Sequence, residues 1–158
     1  MKRSIKTGVS FGLTSGIITT LGVMIGLDAG TGLKLAVVGG ILTVAIADAF
    51  SDALGIHISE ESSKDTSHKE VWEATIATFF TKLIVALSFL IPVLAFSLQT
   101  AVIVNLAWGF VLIVAFNYRL AKSRKEKPLG VILEHLSIAI VVVVITFFVG
   151  KGIAFYFG

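Results

Sequence analysis

Five apolar runs, each close to the length that crosses a bilayer, take up nearly the whole chain, and few folds are open to such a sequence. They extend from Val9 to about Leu27, Leu35 to about Ile58, about Val71 to Phe96, Ala101 to Tyr118, and Leu129 to about Phe157. An α-helix rises 1.5 Å per residue, so roughly 20 residues cover a hydrocarbon core of about 30 Å. A water-soluble fold would have to bury all five runs in one small core. With 158 residues, 56% hydrophobic and only 15% charged, the chain lacks the polar surface for that. The expectation is an all-α integral membrane protein: one membrane domain over residues 1–158, five transmembrane helices, and no loop long enough to form a second domain. The first run follows the basic start Lys2-Arg3-Ser4-Ile5-Lys6, as a signal peptide would. It exceeds a typical h-region and lacks an Ala-x-Ala cleavage site, so it is read as a span.

Charge then sets orientation. Lys2, Arg3 and Lys6 precede the first run, and Arg119, Lys122, Arg124, Lys125 and Lys127 follow the fourth, whereas Ser97-Leu98-Gln99 is uncharged. The positive-inside rule places the N-terminus in the cytoplasm and, after five spans, the C-terminus outside a cell membrane. The net charge of +3 is concentrated beside apolar runs, which argues for topology and against nucleic acid. With no cysteine, disulfides, thiolate metal sites and cysteine nucleophiles are excluded. There is no Gly-rich loop before a Lys-Ser/Thr, no His-Glu-x-x-His, and no nucleophile with placed partners, so an enzyme is not expected.

Two acids interrupt the second run. Asp48 and Asp52 stand four apart, on one helix face about one turn from each other. A carboxylate at membrane depth is costly unless it is paired, protonated, hydrated or bound to a cation, and such acids commonly mark ion or proton pathways. The plainer reading has Asp52 at the interface and Asp48 tied to Lys82 as a packing contact. Lys82 is the basic residue deepest in a run. It is either a tethered counter-ion for the acids, displaced by a metal or proton, or a long stem whose ammonium reaches the headgroups.

Gly8, Gly12 and Gly16 form consecutive GxxxG steps in the first span, which permit close backbone approach within the chain or between copies. His57, Glu61, Asp65 and His68 are spaced by four, four and three residues. They would share a face, as a secondary divalent-cation or gating site, if the second helix continued into the cytoplasm; otherwise they form a solvated loop with Lys64 and Lys69. Glu134 opens the fifth span, at the interface or facing the path.

Two stretches carry a resemblance. Ser15-Gly16-Ile17-Ile18-Thr19-Thr20-Leu21-Gly22-Val23-Met24-Ile25-Gly26 is similar to the Asp-Gly-Leu-x-Thr-Thr-x-Gly-Val-Val-x-Gly stretch of the vacuolar iron transporter family. Ala47-Asp48-Ala49-Phe50-Ser51-Asp52-Ala53-Leu54-Gly55, with Ser59, resembles that family's Ala-Asp-Gly-x-Ser-Met-Gly-x-Gly stretch ending in Ser. Ala77-Thr78-Phe79 and Leu90-Ile91-Pro92 extend the likeness over most of the chain. The chain looks like a short, prokaryotic-type member without the Glu-rich cytoplasmic domain, which is reduced to Ser59 through Glu70. The resemblance implies a homodimer whose first spans, at Gly8, Gly12 and Gly16, meet around an ion path. It implies export of cytoplasmic Fe2+ or Mn2+, transported rather than held as a cofactor, in exchange for protons. Ser15 stands where the family has a pathway Asp, Asp52 where it has Met, and Val44 where some members carry an acid. Asp48, Asp52 and Ser15 are therefore the expected metal ligands. A carboxylate in place of a thioether makes the site harder. The rival expectation is a membrane interaction protein of similar fold that transports nothing, its acids neutralised by Lys82.

Overall fold

A computed structural model describes residues 2–158. Its elements are α1 (Arg3–Thr31), α2 (Lys34–Thr43), a π-helical turn (Val44–Asp48), α3 (Ala49–Glu61), α4 (His68–Ala95), α5 (Leu98–Arg124) and α6 (Pro128–Phe157), with no strand among the described residues. The π turn joins α2 and α3 into one helix over Lys34–Glu61, so five helices are long and apolar enough to cross a membrane. Each helix starts before its apolar run, and three of them end after it, because polar ends continue the backbone hydrogen bonding past the apolar stretch; the third run overruns the end of α4 by one residue, Phe96.

Local chemistry sets the breaks. Gly32 adopts φ +61° after α1, a left-handed conformation that a residue without Cβ reaches freely. At the start of α4, Ser67 and Glu70 form a capping box: the Ser67 amide and hydroxyl donate to the Glu70 carboxylate over 3.0 and 2.6 Å, and the Glu70 amide reaches back to Ser67 Oγ over 3.4 Å. α5 ends where Lys125 turns left-handed at φ 59°, and Pro128 opens α6, where its missing N–H costs nothing.

The chain packs as two compact units. The first comprises residues 2–20 and Ile41–Leu90. Here α1 lies against α4 through glycine. A Cβ added at Gly12 would stand 2.6 Å from the Thr78 carbonyl oxygen and 3.2 Å from the Lys82 amide nitrogen. One at Gly8 would meet Ala77 and Thr78, and one at Gly16 would meet Val85 at 3.2 Å. The three glycines expected at a contact between copies are thus taken up by α4 of the same chain. The core of this unit is built of small residues: Ala45, Ala49 and Ala53 on one side, and Ala74, Thr78 and Ala86 on α4. The bulky Phe80, Ile84 and Leu87 of α4 face outward, as lipid-facing positions do.

The second unit comprises Leu21–Gly40 and Ile91–Gly158. Its buried stripe on α5 repeats every four residues: Ala101, Asn105, Gly109, Ile113, Asn117 and Ala121. Leu21 fills the space over Gly109, and Gly150 of α6 brings backbone against Ala29 and Gly30. On α6 only Ala139 and Gly150 are buried, so this most apolar of the five helices presents most of its surface outward.

Candidate functional site: a lysine held by two carboxylates

Lys82 is wholly buried, at 0% exposure, because it occupies the small-residue stripe Ala74, Thr78, Lys82, Ala86 of α4 at steps of one turn. An unpaired ammonium there would cost several kcal/mol. It is paired twice. Its Nζ lies 2.5 Å from Asp48 Oδ2 and also donates to Asp52 Oδ2. Ser15 closes the group from α1: its hydroxyl accepts from Lys82 Nζ over 2.9 Å and donates to Asp52 Oδ2 over 2.5 Å. The long-stem alternative, with the ammonium among headgroups, is therefore not what the fold adopts.

The two acids are brought to Lys82 by the π turn and the helix that follows. The turn ends at Asp48, and Asp52 lies in the first turn of α3. Such wide turns recur beside functional positions in helices. The acids are not equally enclosed: the Asp52 side chain is 18% exposed and that of Asp48 33%. Asp52 is held by a lysine and a serine. By formal count, two carboxylates and one ammonium leave a charge of −1 in an apolar helical environment.

The chain matches no family model, no curated protein and no solved structure.

The histidine-containing run is not assembled. α3 ends at Glu61, a turn through Ser62 to Ser67 follows, and α4 begins anew at His68, so the four residues cannot share one helix face. The Ser62 hydroxyl bonds back to the Ser59 carbonyl over 2.7 Å, a local contact that favours a turn over continued helix. Glu61, Asp65 and His68 are exposed. His57 points instead to α4, with Nδ1 3.0 Å from Thr75 Oγ1 and its ring edge-on to Trp72 at 4.8 Å. Glu134 lies exposed on α6. Among the described residues no group of three or more His, Cys, Asp or Glu converges as a metal site, so Asp48, Asp52 and Ser15 are the candidate oxygen donors that do come together.

Polar residues outside the expected set are also buried. Asn105 donates from Nδ2 to Met24 Sδ over 3.2 Å, and Asn117 Nδ2 donates to the Ile113 carbonyl over 2.9 Å. The signal was present: two amides twelve residues apart in an apolar run lie on one four-residue stripe, and Asn105 bonds between helices as buried amides in membranes do, while Asn117 bonds within α5. Glu73, likewise, ties the start of α4 to that of α1, taking Lys2 Nζ at 2.6 Å and Ser4 Oγ at 2.8 Å.

Proposed function

We propose that the protein is a multi-pass membrane transporter that carries a divalent cation, Fe2+ or Mn2+, out of the cytoplasm in exchange for protons. Asp48 and Asp52 are its exchange site and Lys82 a built-in competitor for them. The observation that carries this reading is the uncompensated charge. A cluster of Asp48, Asp52 and Lys82 sums to −1 in apolar surroundings, and one of its carboxylates is a third exposed. Such a cluster gains stability by taking up a proton or a cation. A proton neutralises it at one carboxylate; a metal ion binds it by drawing both carboxylates and the Ser15 oxygen, all hard donors that suit Mn2+ and Fe2+. Proton and metal compete for the same oxygens, which is the condition for exchange. The resemblance to vacuolar iron transporters at Ser15–Gly26 and Ala47–Gly55 points the same way.

Charge arithmetic also favours a homodimer. One cluster at −1 is overshot by a divalent ion, whereas two clusters related by a two-fold axis supply −2, which one divalent ion balances. In this reading the contact between copies lies elsewhere than Gly8, Gly12 and Gly16, whose glycine faces approach α4 of the same chain. The N-terminus is cytoplasmic and the C-terminus external in this reading, from the placement of the Lys and Arg residues.

A second reading rests on the complete burial of Lys82 and its pairing with both acids. In it the cluster is a packing tie, and the protein is a membrane interaction protein that transports nothing. Asp48→Asn and Asp52→Asn in proteoliposomes separate the two. Under the transport reading each abolishes proton-coupled Mn2+ or Fe2+ flux while the purified protein stays folded. Unchanged flux with a large fall in thermal stability would leave the packing tie as the role of the cluster.

A further inference from the structure

We propose that the outward groove between α5 and α6, together with the basic turn that follows α5, seats an anionic phospholipid, with an acyl chain in the groove and the phosphate among the cations at its end. The groove has a volume of about 370 Å³ and is lined by Phe110, Val111, Val114 and Ala115 of α5 and by Leu136 and Ile140 of α6. Val111, Val114 and Ile140 are exposed, so it opens on the side that lipid covers in a membrane. An apolar groove alone would take any hydrocarbon. The charge at its end selects the guest. Val111, Ala115, Tyr118 and Lys122 follow one another at steps of four, three and four residues, so one exposed face of α5 runs from the groove to the basic stretch. Lys122 turns back along that face, its Nζ 5.2 Å from the centre of the half-exposed Tyr118 ring. Arg119, Arg124, Lys125 and Lys127 are exposed around it, and none of the five cations is ion-paired among the described residues. Against these five, Glu126 is the one acid from 119 to 127, which leaves a formal charge of +4. Glu134 stands two positions from Leu136, on the opposite side of α6 from the groove.

The spacing of groove and charge fits a lipid. Lys122 lies eleven positions after Val111, which is about 16 Å along an α-helix. That is half of a hydrocarbon core of about 30 Å, the depth one acyl chain covers. A chain whose end rests at Val111 therefore brings its phosphate to the level of Lys122, where basic side chains at the end of a membrane helix meet anionic headgroups. A second copy of the chain is the poorer occupant. Two copies inserted in the same direction and paired across this face would set two like-charged stretches side by side, with only Glu126 of each to offset them. The site shares no residue with the ion cluster, so the two readings stand or fall separately.

The test places a single tryptophan in the groove. Full-length protein carrying Trp72→Phe, Trp108→Phe and Phe110→Trp is reconstituted in mixed vesicles of phosphatidylcholine and phosphatidylglycerol, with bromine on the acyl chains of one lipid or the other. Fluorescence quenching then reads the relative occupancy of the groove by the two lipids. Phosphatidylglycerol should be preferred by about fivefold or more. Arg119→Gln, Lys122→Gln and Lys125→Gln together, all at exposed positions, should bring the preference below about twofold. Ala115→Phe, which fills the groove and leaves every charge in place, should do the same. Equal quenching by the two lipids in the reporter protein, or a preference that survives either change, would overturn the proposal; survival of Ala115→Phe would mean diffuse attraction to the basic stretch without a seated chain. Glycerol phosphate at millimolar concentration should leave the preference intact, and its loss would give the cations to a soluble phosphate instead. Val114→Cys in the otherwise unchanged chain, which has no cysteine of its own, should form no disulfide between copies in the membrane. An efficient crosslink there would put a second copy on this face and overturn the lipid as its occupant. If the triple variant does not fold, the reporter protein and Ala115→Phe decide the question.

Discussion

Ser15 and Asp52, 37 positions apart in sequence, are joined by a hydrogen bond of 2.5 Å in which the serine donates, while the same hydroxyl accepts from Lys82. One small side chain on α1 thus touches both signs of charge in the cluster. Its replacement alters the group without removing a charge, which makes position 15 the most informative place to perturb it.

Ser15→Asp adds a carboxylate beside Asp52 and takes the formal charge of the cluster from −1 to −2. Mn2+ binding to the purified protein, followed by isothermal titration calorimetry, should tighten at least tenfold, about 1.4 kcal/mol. Ser15→Ala should weaken the fold by about 1 kcal/mol for the lost hydrogen bonds and leave the charge balance unchanged. Binding that does not respond to Ser15→Asp would separate this position from the metal.

Lys82→Gln leaves two carboxylates without their cation. Thermal unfolding in detergent should show a loss of about 3–5 kcal/mol relative to the parent protein, the usual cost of breaking a buried pair on one side. Excess Mn2+ should restore more stability to Lys82→Gln than to the parent protein, because the ion then occupies the place of the ammonium. Restoration by Mn2+ that is equal in the two proteins would count against competition between Lys82 and the transported ion.

Two glycine substitutions of the same kind should have opposite effects. At Gly12 an added methyl meets the Thr78 carbonyl oxygen of α4 at 2.6 Å, and backbone cannot step aside cheaply. Gly12→Ala should therefore cost about 1–3 kcal/mol. At Gly55 nothing lies within 4 Å, so Gly55→Ala should be neutral or gain up to about 1 kcal/mol from helix propensity. Melting curves of the two variants side by side provide the check.

Orientation is tested by single cysteines in a chain that has none of its own. Thr31→Cys and Gly158→Cys should react with a membrane-impermeant maleimide added outside intact cells. Ser123→Cys, within the basic stretch after the fourth span, should react only after permeabilisation. Labelling of Ser123→Cys from outside would invert the proposed direction of transport.

The five helices were legible because nothing competes with apolar length as a signal in a chain so poor in charge. The pairing of Asp48 with Lys82 was legible as one of two options. What decided it is a pattern on α4: Ala74, Thr78 and Ala86 flank Lys82 at one-turn steps, and bulky residues hold the other faces, so position 82 points into the packed side. The spacing of His57, Glu61, Asp65 and His68 misled because it assumed an unbroken helix across Ser62 and Ser63, where the Ser62 hydroxyl bonds back to the Ser59 carbonyl and the chain turns. The destination of the α1 glycines was not legible at all, since GxxxG states that a helix comes close without saying which one.

The π turn at Val44–Asp48 has a bearing on how this chain tolerates changes of length. A π turn holds one more residue than an α turn over the same rise. Deleting a single residue from 44–48 would let the wide turn close into a regular α turn with no hydrogen bond lost, and since either turn completes one revolution, the helix on both sides would keep its phase. Ala49 and Ala53 would stay in the core and Asp52 beside Lys82. The same deletion between Ala49 and Asp52, in regular helix, would rotate one side by about 100° against the other and swing Asp52 away from Lys82. The wide turn is therefore the stretch of the second span that can absorb a one-residue change of length, and the helix after it the stretch that cannot.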